Sequence, residues 1–187
     1  PRQQLDIYRP VAPRTQSPRM QSPRTQSPRG GPTPVIVFFY GGSWNSGARG
    51  DYRFVGQILA SEGYTVVIPD YRLYPQVKFP SFLEDSALAL RWTQDHIAEY
   101  GGDSQRLFLM GHSAGAYNAI MLALDRRYGA AVGFDFARVK GVVGLAGPYD
   151  FELDSDLLKG VFGDADYTRT QPVTFAKAGE PPVLLAF

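Results

Sequence analysis

The chain has 187 residues, enough for one α/β domain or for most of a larger one. A composition of 44% hydrophobic, 13% aromatic and 20% charged residues is that of a globular protein able to bury a core, and zero cysteines exclude disulfides and thiolate metal sites. The net charge of +1 hides an asymmetry: residues 1–30 hold six arginines against Asp6, about +5, which leaves the remainder near −4, so the fold proper is not basic and no nucleic-acid partner is expected.

In chain order, "QLDIYRP" reads as a first strand within residues 1–12. Residues 13–33 then carry a repeat: Pro13-Arg-Thr-Gln-Ser, Pro18-Arg-Met-Gln-Ser and Pro23-Arg-Thr-Gln-Ser follow in register, and a fourth unit starts at Pro28-Arg29. A proline in every unit and almost no apolar side chains give it nothing to pack, so it is expected to be a solvated, disordered insertion between two strands. Lengthening such a loop costs little, because closure entropy grows with the logarithm of length.

From residue 34 to 187 the pattern is that of an α/β core. "PVIVFFY" (34–40) is a continuous apolar run, the mark of a strand buried on both faces. An amphipathic segment is expected from Tyr52 to Glu62, with Phe54, Val55, Ile58 and Leu59 on one face and Gly63 ending it as a C-cap would. "YTVVIPDY" (64–71) is the next strand. Ser81 and Glu84 have capping-box spacing, and Leu83, Ala87 and Leu90 fall on one helical face. Gly101-Gly102 stops that helix. "RLFLMG" (106–111), a helix over 114–127, "VKGVVGLAG" (139–147) and "PPVLLAF" (181–187) follow, with a cap-like, partly helical excursion over 152–180. Alternating apolar strands and helices predict a mainly parallel sheet with helices on both faces. The last strand would leave an uncovered apolar edge, so the natural protein is expected to continue past Phe187.

No apolar run is long enough to span a bilayer and no signal peptide is visible. A soluble protein is the expectation; the compartment is not legible, the cytoplasm being favoured over the others, and since the chain starts at Pro1 a targeting segment could precede it.

The chemistry concentrates at Gly111-His112-Ser113-Ala114-Gly115. Gly-x-Ser-x-Gly alone is a weak signal in a chain with 20 glycines. Its place between a buried strand and a helix is where a nucleophile elbow must lie. Flanking glycines let the backbone turn sharply, so the Ser113 hydroxyl stands clear at the carboxyl end of the sheet. The following helix start adds unpaired N–H donors and a positive dipole end. A second turn of small residues, "FFYGGSW" (38–44), ends another buried strand. Its Gly42 and Ser43 amides, with that of Ala114, are the natural donors to a developing oxyanion.

These motifs, in this order, resemble the α/β-hydrolase superfamily, and within it the carboxylesterases of the hormone-sensitive-lipase-like and feruloyl-esterase-like (BD-FAE-like) group. The matching residues are Tyr40-Gly41-Gly42-Ser43-Trp44, Asp70-Tyr71-Arg72-Leu73-Tyr74-Pro75, "FPSFLEDSALALRW" (79–92), Gly111–Gly115 and "GLAGPYDF" (144–151). The resemblance implies an α/β-hydrolase core without its last strand and helix. It also implies hydrolysis of a small-molecule carboxylic ester through an acyl-enzyme on Ser113, with no metal and no cofactor. Tyr40 stands where these families usually carry a histidine that supports the loop. Trp44, Tyr117 and Tyr149 are candidate walls of the substrate pocket.

The base is missing. The chain has two histidines; His112 should point away from the Ser113 hydroxyl, and His96 lies late on a helix before the nucleophile strand. In this architecture the order is Ser, acid, His, and the resemblance places both acid and His beyond Phe187. Asp150, after the strand that follows the nucleophile strand, is a possible alternative acid, or simply a turn residue. As it stands the chain should be nearly inactive. Two alternatives stay open: a non-catalytic, degraded hydrolase acting as a binding protein, or an amide or thioester hydrolase or acyltransferase on the same fold. The oligomeric state is not legible.

Overall fold

The computed structural model describes residues 3–10 and 31–187. The repeat, except for its last three positions, lies outside the described residues. Six strands form one sheet in the order β1-β3-β2-β4-β5-β6. They are β1 (Leu5–Tyr8), β2 (Thr33–Phe39), β3 (Thr65–Pro69), β4 (Gly102–His112), β5 (Val139–Leu145) and β6 (Val183–Ala186). All neighbours run parallel except β1, which is antiparallel to β3 with Leu5 opposite Pro69. The predicted α/β class and mainly parallel sheet are therefore observed.

The helices are α1 (Arg53–Ser61), α2 (Ser81–His96), α3 (Ala114–Leu124), α4 (Arg127–Ala131), α5 (Asp156–Phe162) and α6 (Tyr167–Thr170). Val35 to Phe39 of β2 and Thr65 to Pro69 of β3 are wholly buried, as continuous apolar runs demand of strands covered on both faces. α3 is buried from Ala114 to Ala123. A helix apolar all round belongs in a core.

Three local expectations change. The buried residues of α1 are Gly56 and Ala60, whereas Phe54 and Ile58 are exposed. The cause is close packing, because a Cβ on Gly56 would collide with the ring of Tyr8; the small residues sit closest to the sheet, Val55 and Leu59 pack half-buried beside them, and Phe54 and Ile58 turn outward. At α2, Pro80 occupies the N-cap and no side chain caps the helix, so Ser81 is its first residue and makes no capping box. The helix expected over 114–127 ends at Leu124, and a separate short helix begins at Arg127. Asp125, buried between them, holds the Arg127 guanidinium through two hydrogen bonds of 2.8 and 2.7 Å. β6 pairs with β5, and Val183, Leu184 and Leu185 are exposed along this edge of the sheet.

Among the described residues no helix is long and apolar enough to cross a membrane, and no group of His, Cys, Asp or Glu could hold a metal ion.

Candidate active site

β2 and β4 are adjacent, with Phe39 level with Gly111, so the loops that leave their carboxyl ends are neighbours. Ser113 sits between β4 and α3 at φ 52°, ψ −122°, a conformation that L-residues avoid and that tightly determined sites impose. Its N–H donates to the Leu145 carbonyl at 2.8 Å, and its own carbonyl accepts the Tyr117 N–H at 3.1 Å. The backbone is thus held from β5 on one side and from the first turn of α3 on the other. Ser113 is half-buried, so the side chain is not sealed in the core.

Small residues make the turn possible. A Cβ on Gly111 would collide with the Gly115 carbonyl, and one on Gly115 would collide with the Phe39 and Tyr40 carbonyls. The start of α3 therefore rests directly on the end of β2. The loop after β2 is equally close: a Cβ on Gly41 would lie 2.8 Å from His112 Nδ1 and 3.1 Å from Ser113 Cβ. That loop is tightly folded. The Gly42 carbonyl accepts the N–H groups of Asn45 and Ser46 at 3.1 and 3.0 Å, and Gly42, Ser43 and Trp44 all have positive φ, of 128°, 49° and 58°. Gly42 is half-buried and Ser43 exposed, whereas Ala114 is buried at the start of α3.

Trp44 and Tyr117 are buried in an aromatic core, not set around an open pocket. The Trp44 ring meets Tyr117 edge-on at 5.1 Å and Phe162 of α5 at 5.0 Å. Trp44 Nε1 donates to Asn118 Oδ1 at 3.1 Å, and the Tyr117 hydroxyl donates to the Thr170 carbonyl at 2.7 Å. Burial pushes the Tyr117 hydroxyl well above its ordinary pKa, which keeps it a donor. These contacts fasten the excursion over 152–180 to the loop and to α3. Tyr149 does border a cavity, of about 360 Å³, but its walls come from Ile120, Leu124, Val173 and Val183 and do not include Ser113.

Neither histidine is bonded to Ser113. His96 Nδ1 lies 3.1 Å from Glu99 at the end of α2. His112 Nδ1 lies 2.8 Å from the Tyr52 hydroxyl. Asp150 is exposed, and its carboxylate accepts the Tyr167 hydroxyl, which raises the pKa of Tyr167; its partner is a tyrosine, not a histidine. The sequence reading missed Tyr52, which it placed at the start of a helix. Its contacts lie 11 and 60 residues away along the chain, and no local pattern announces such a contact.

Around the site, the segment Asp70–Pro75 is pinned by two acids. Asp70 accepts the Arg49 N–H at 2.9 Å and pairs with the Arg49 guanidinium. Asp85 of α2 accepts the Arg72 N–H at 3.0 Å and its guanidinium at 2.7 and 2.8 Å. Burial raises the Asp85 pKa, but these hydrogen bonds outweigh it and the net shift is downward.

Residues 24–187 match the BD-FAE family. The chain belongs to the BD-FAE family. Among curated proteins it is 32% identical to the probable isoprenylcysteine alpha-carbonyl methylesterase ICMEL1 of Oryza sativa subsp. japonica over 155 residues, 80% of this chain and 33% of that one. It is 38% identical to carboxylesterase NlhH of Mycobacterium tuberculosis over 98 residues, 51% of this chain and 31% of that one. The chain thus spans about a third of the length of these curated relatives. Among solved structures, Thermogutta terrifontis esterase 2 phosphoramylated by tabun superposes with a TM-score of 0.74 at 25% identity, covering 97% of this chain and 64% of that one. In this BD-FAE chain the glycine-rich loop and the serine turn stand at one end of the sheet, as the resemblance implied.

Proposed function

We propose that this BD-FAE protein is a serine hydrolase that cleaves a carboxylic ester through an acyl-enzyme on Ser113. The observation that carries the proposal is the left-handed, half-buried serine at the end of β4, with the Gly41–Trp44 loop packed against it. In the reaction, Ser113 Oγ attacks the ester carbonyl carbon and gives its proton to a general base. The carbonyl oxygen becomes an oxyanion, which the amides of Gly42, Ser43 and Ala114 receive. Collapse expels the alcohol, which takes the proton, and water then releases the acid by the same path. The names of the relatives, a methylesterase and a carboxylesterase, support an ester over an amide or a thioester.

The base is a group that neither His96 nor His112 supplies, since neither ring is hydrogen-bonded to Ser113. The test therefore uses the full reading frame that contains these residues. It should hydrolyse a short p-nitrophenyl ester, and Ser113→Ala should lower kcat by about 10³-fold or more. A fluorophosphonate probe should label Ser113 there and react slowly with residues 1–187 alone. The engaged histidines favour a second reading, a non-catalytic binding protein of the same fold. A full-length protein that turns over no ester, amide or thioester and escapes the probe would establish that reading and overturn the first.

A further inference from the structure

The tyrosine that the sequence reading passed over connects two loops of the site through a single oxygen. The Tyr52 hydroxyl accepts the Gly41 N–H at 3.3 Å and lies 2.8 Å from His112 Nδ1. One oxygen therefore joins the first glycine of the loop after β2 to the residue directly before Ser113. The ring is held independently of that hydroxyl, packed at 5.3 Å from Phe38, 6.2 Å from Tyr40 and 6.0 Å from Phe54. The loop it fixes carries three consecutive residues at positive φ, and such geometry persists only where the surroundings over-determine it.

We propose that Tyr52 is a positioning residue that latches the oxyanion loop to the nucleophile turn, a role that rests on the serine-hydrolase reading above. Gly41 spends its N–H on Tyr52, so the amides left to face the reacting oxygen are those of Gly42 and Ser43. Elsewhere the loop is held at its start by the Tyr71 hydroxyl, which donates to the Tyr40 carbonyl at 2.7 Å. At its end, Trp44 is held by Asn118 and by the Tyr74 N–H, so Tyr52 is the support at Gly41. The latch also favours a tautomer. The Tyr52 hydroxyl uses both of its capacities when it accepts the Gly41 N–H and gives its one hydrogen to His112. Nδ1 of His112 is then an acceptor, and the neutral ring carries its proton on Nε2.

Two measurements on different observables test this. In the full-length protein, Tyr52→Phe keeps the ring and removes the oxygen. It should lower kcat roughly 10- to 100-fold with KM nearly unchanged, because misplaced oxyanion donors cost transition-state rather than ground-state binding. Melting of the variant reports whether the fold is intact, and an intact variant with wild-type kcat overturns the proposal. The second measurement needs no activity. In ¹⁵N-labelled residues 1–187, two-bond proton–nitrogen correlations of the imidazoles should show His112 as the Nε2–H tautomer, with His96→Gln identifying the other ring. Tyr52→Phe should shift both the His112 nitrogens and the Gly41 amide. A Gly41 amide or His112 nitrogens that do not move overturn the latch, and a proton on Nδ1 of His112 overturns the assigned tautomer. If wild-type enzyme and Ser113→Ala are equally inactive, the serine-hydrolase reading fails, and the latch is judged on this second measurement alone.

Discussion

Ser113 pays a conformational penalty for its position. At φ 52°, ψ −122° a Cβ is strained, and such residues cost about 1–3 kcal/mol relative to an unstrained one. Glycine has no Cβ to strain. Ser113→Gly should therefore be more stable than Ser113→Ala by about 1 kcal/mol, or about 3 °C in Tm for a chain of this size, although both remove the hydroxyl. Differential scanning calorimetry of the two variants decides it. Equal melting temperatures would mean that the turn relaxes without cost and is not held by its neighbours. Asn118 is the other residue whose part emerges only from its contacts. Its Oδ1 receives Trp44 Nε1, so the helix that begins just after Ser113 also holds the far end of the Gly41–Trp44 loop.

At the scale of elements, the decisive contact is the seat of α3 on the end of β2. Gly115 allows it, since any Cβ there meets the carbonyls of Phe39 and Tyr40. Those are backbone atoms at the end of β2 and cannot step aside as a flexible side chain would. Gly115→Ala should thus cost about 3 kcal/mol, even though alanine is the better helix former by about 1 kcal/mol. Urea unfolding measures the sum. A stabilised Gly115→Ala would show that helix propensity outweighs the clash and that α3 can ride higher. The same reasoning explains α1, where Gly56 lies on Tyr8 and Phe54 and Ile58 face outward. A hydrophobic stripe counts apolar side chains but ignores how close the partner comes.

For the molecule as a whole, acid should be the weak direction. Asp85 is buried on α2, where it holds Arg72, and it also accepts a hydrogen bond from Gln3 near the start of the chain, at 3.3 Å. Its carboxyl is held below the ordinary 3.8 because the Arg72 hydrogen bonds outweigh the upward push of burial. Asp103 is held down by the Arg106 guanidinium and the Gln105 amide. A carboxyl whose folded pKa lies below its unfolded value contributes fully above that unfolded value, and the contribution is lost as pH falls through the folded one. Melting temperature should therefore be steady above about pH 5 and fall below about pH 4. In Arg72→Leu the buried Asp85 loses its partner, at a cost of about 3 kcal/mol near neutrality. Burial then pushes its pKa upward, and protonation should relieve part of that cost at mildly acidic pH. A variant with the wild-type pH profile would show that Arg72 does not hold Asp85.

The sequence by itself determined the alternation of strands and helices, the fully buried strands and the bend at Ser113. Each of these is written in short-range periodicity and in glycine placement, where neighbours along the chain are neighbours in space. The family motifs were legible for the same reason, being contiguous. Only the tertiary structure decided that Trp44 and Tyr117 are core, that Asp150 serves Tyr167, that α1 turns Phe54 and Ile58 outward, and that Tyr52 joins the two loops of the site. Those outcomes depend on contacts between elements far apart in the chain. A side chain's role there follows from the distance to its partner, which no local pattern encodes.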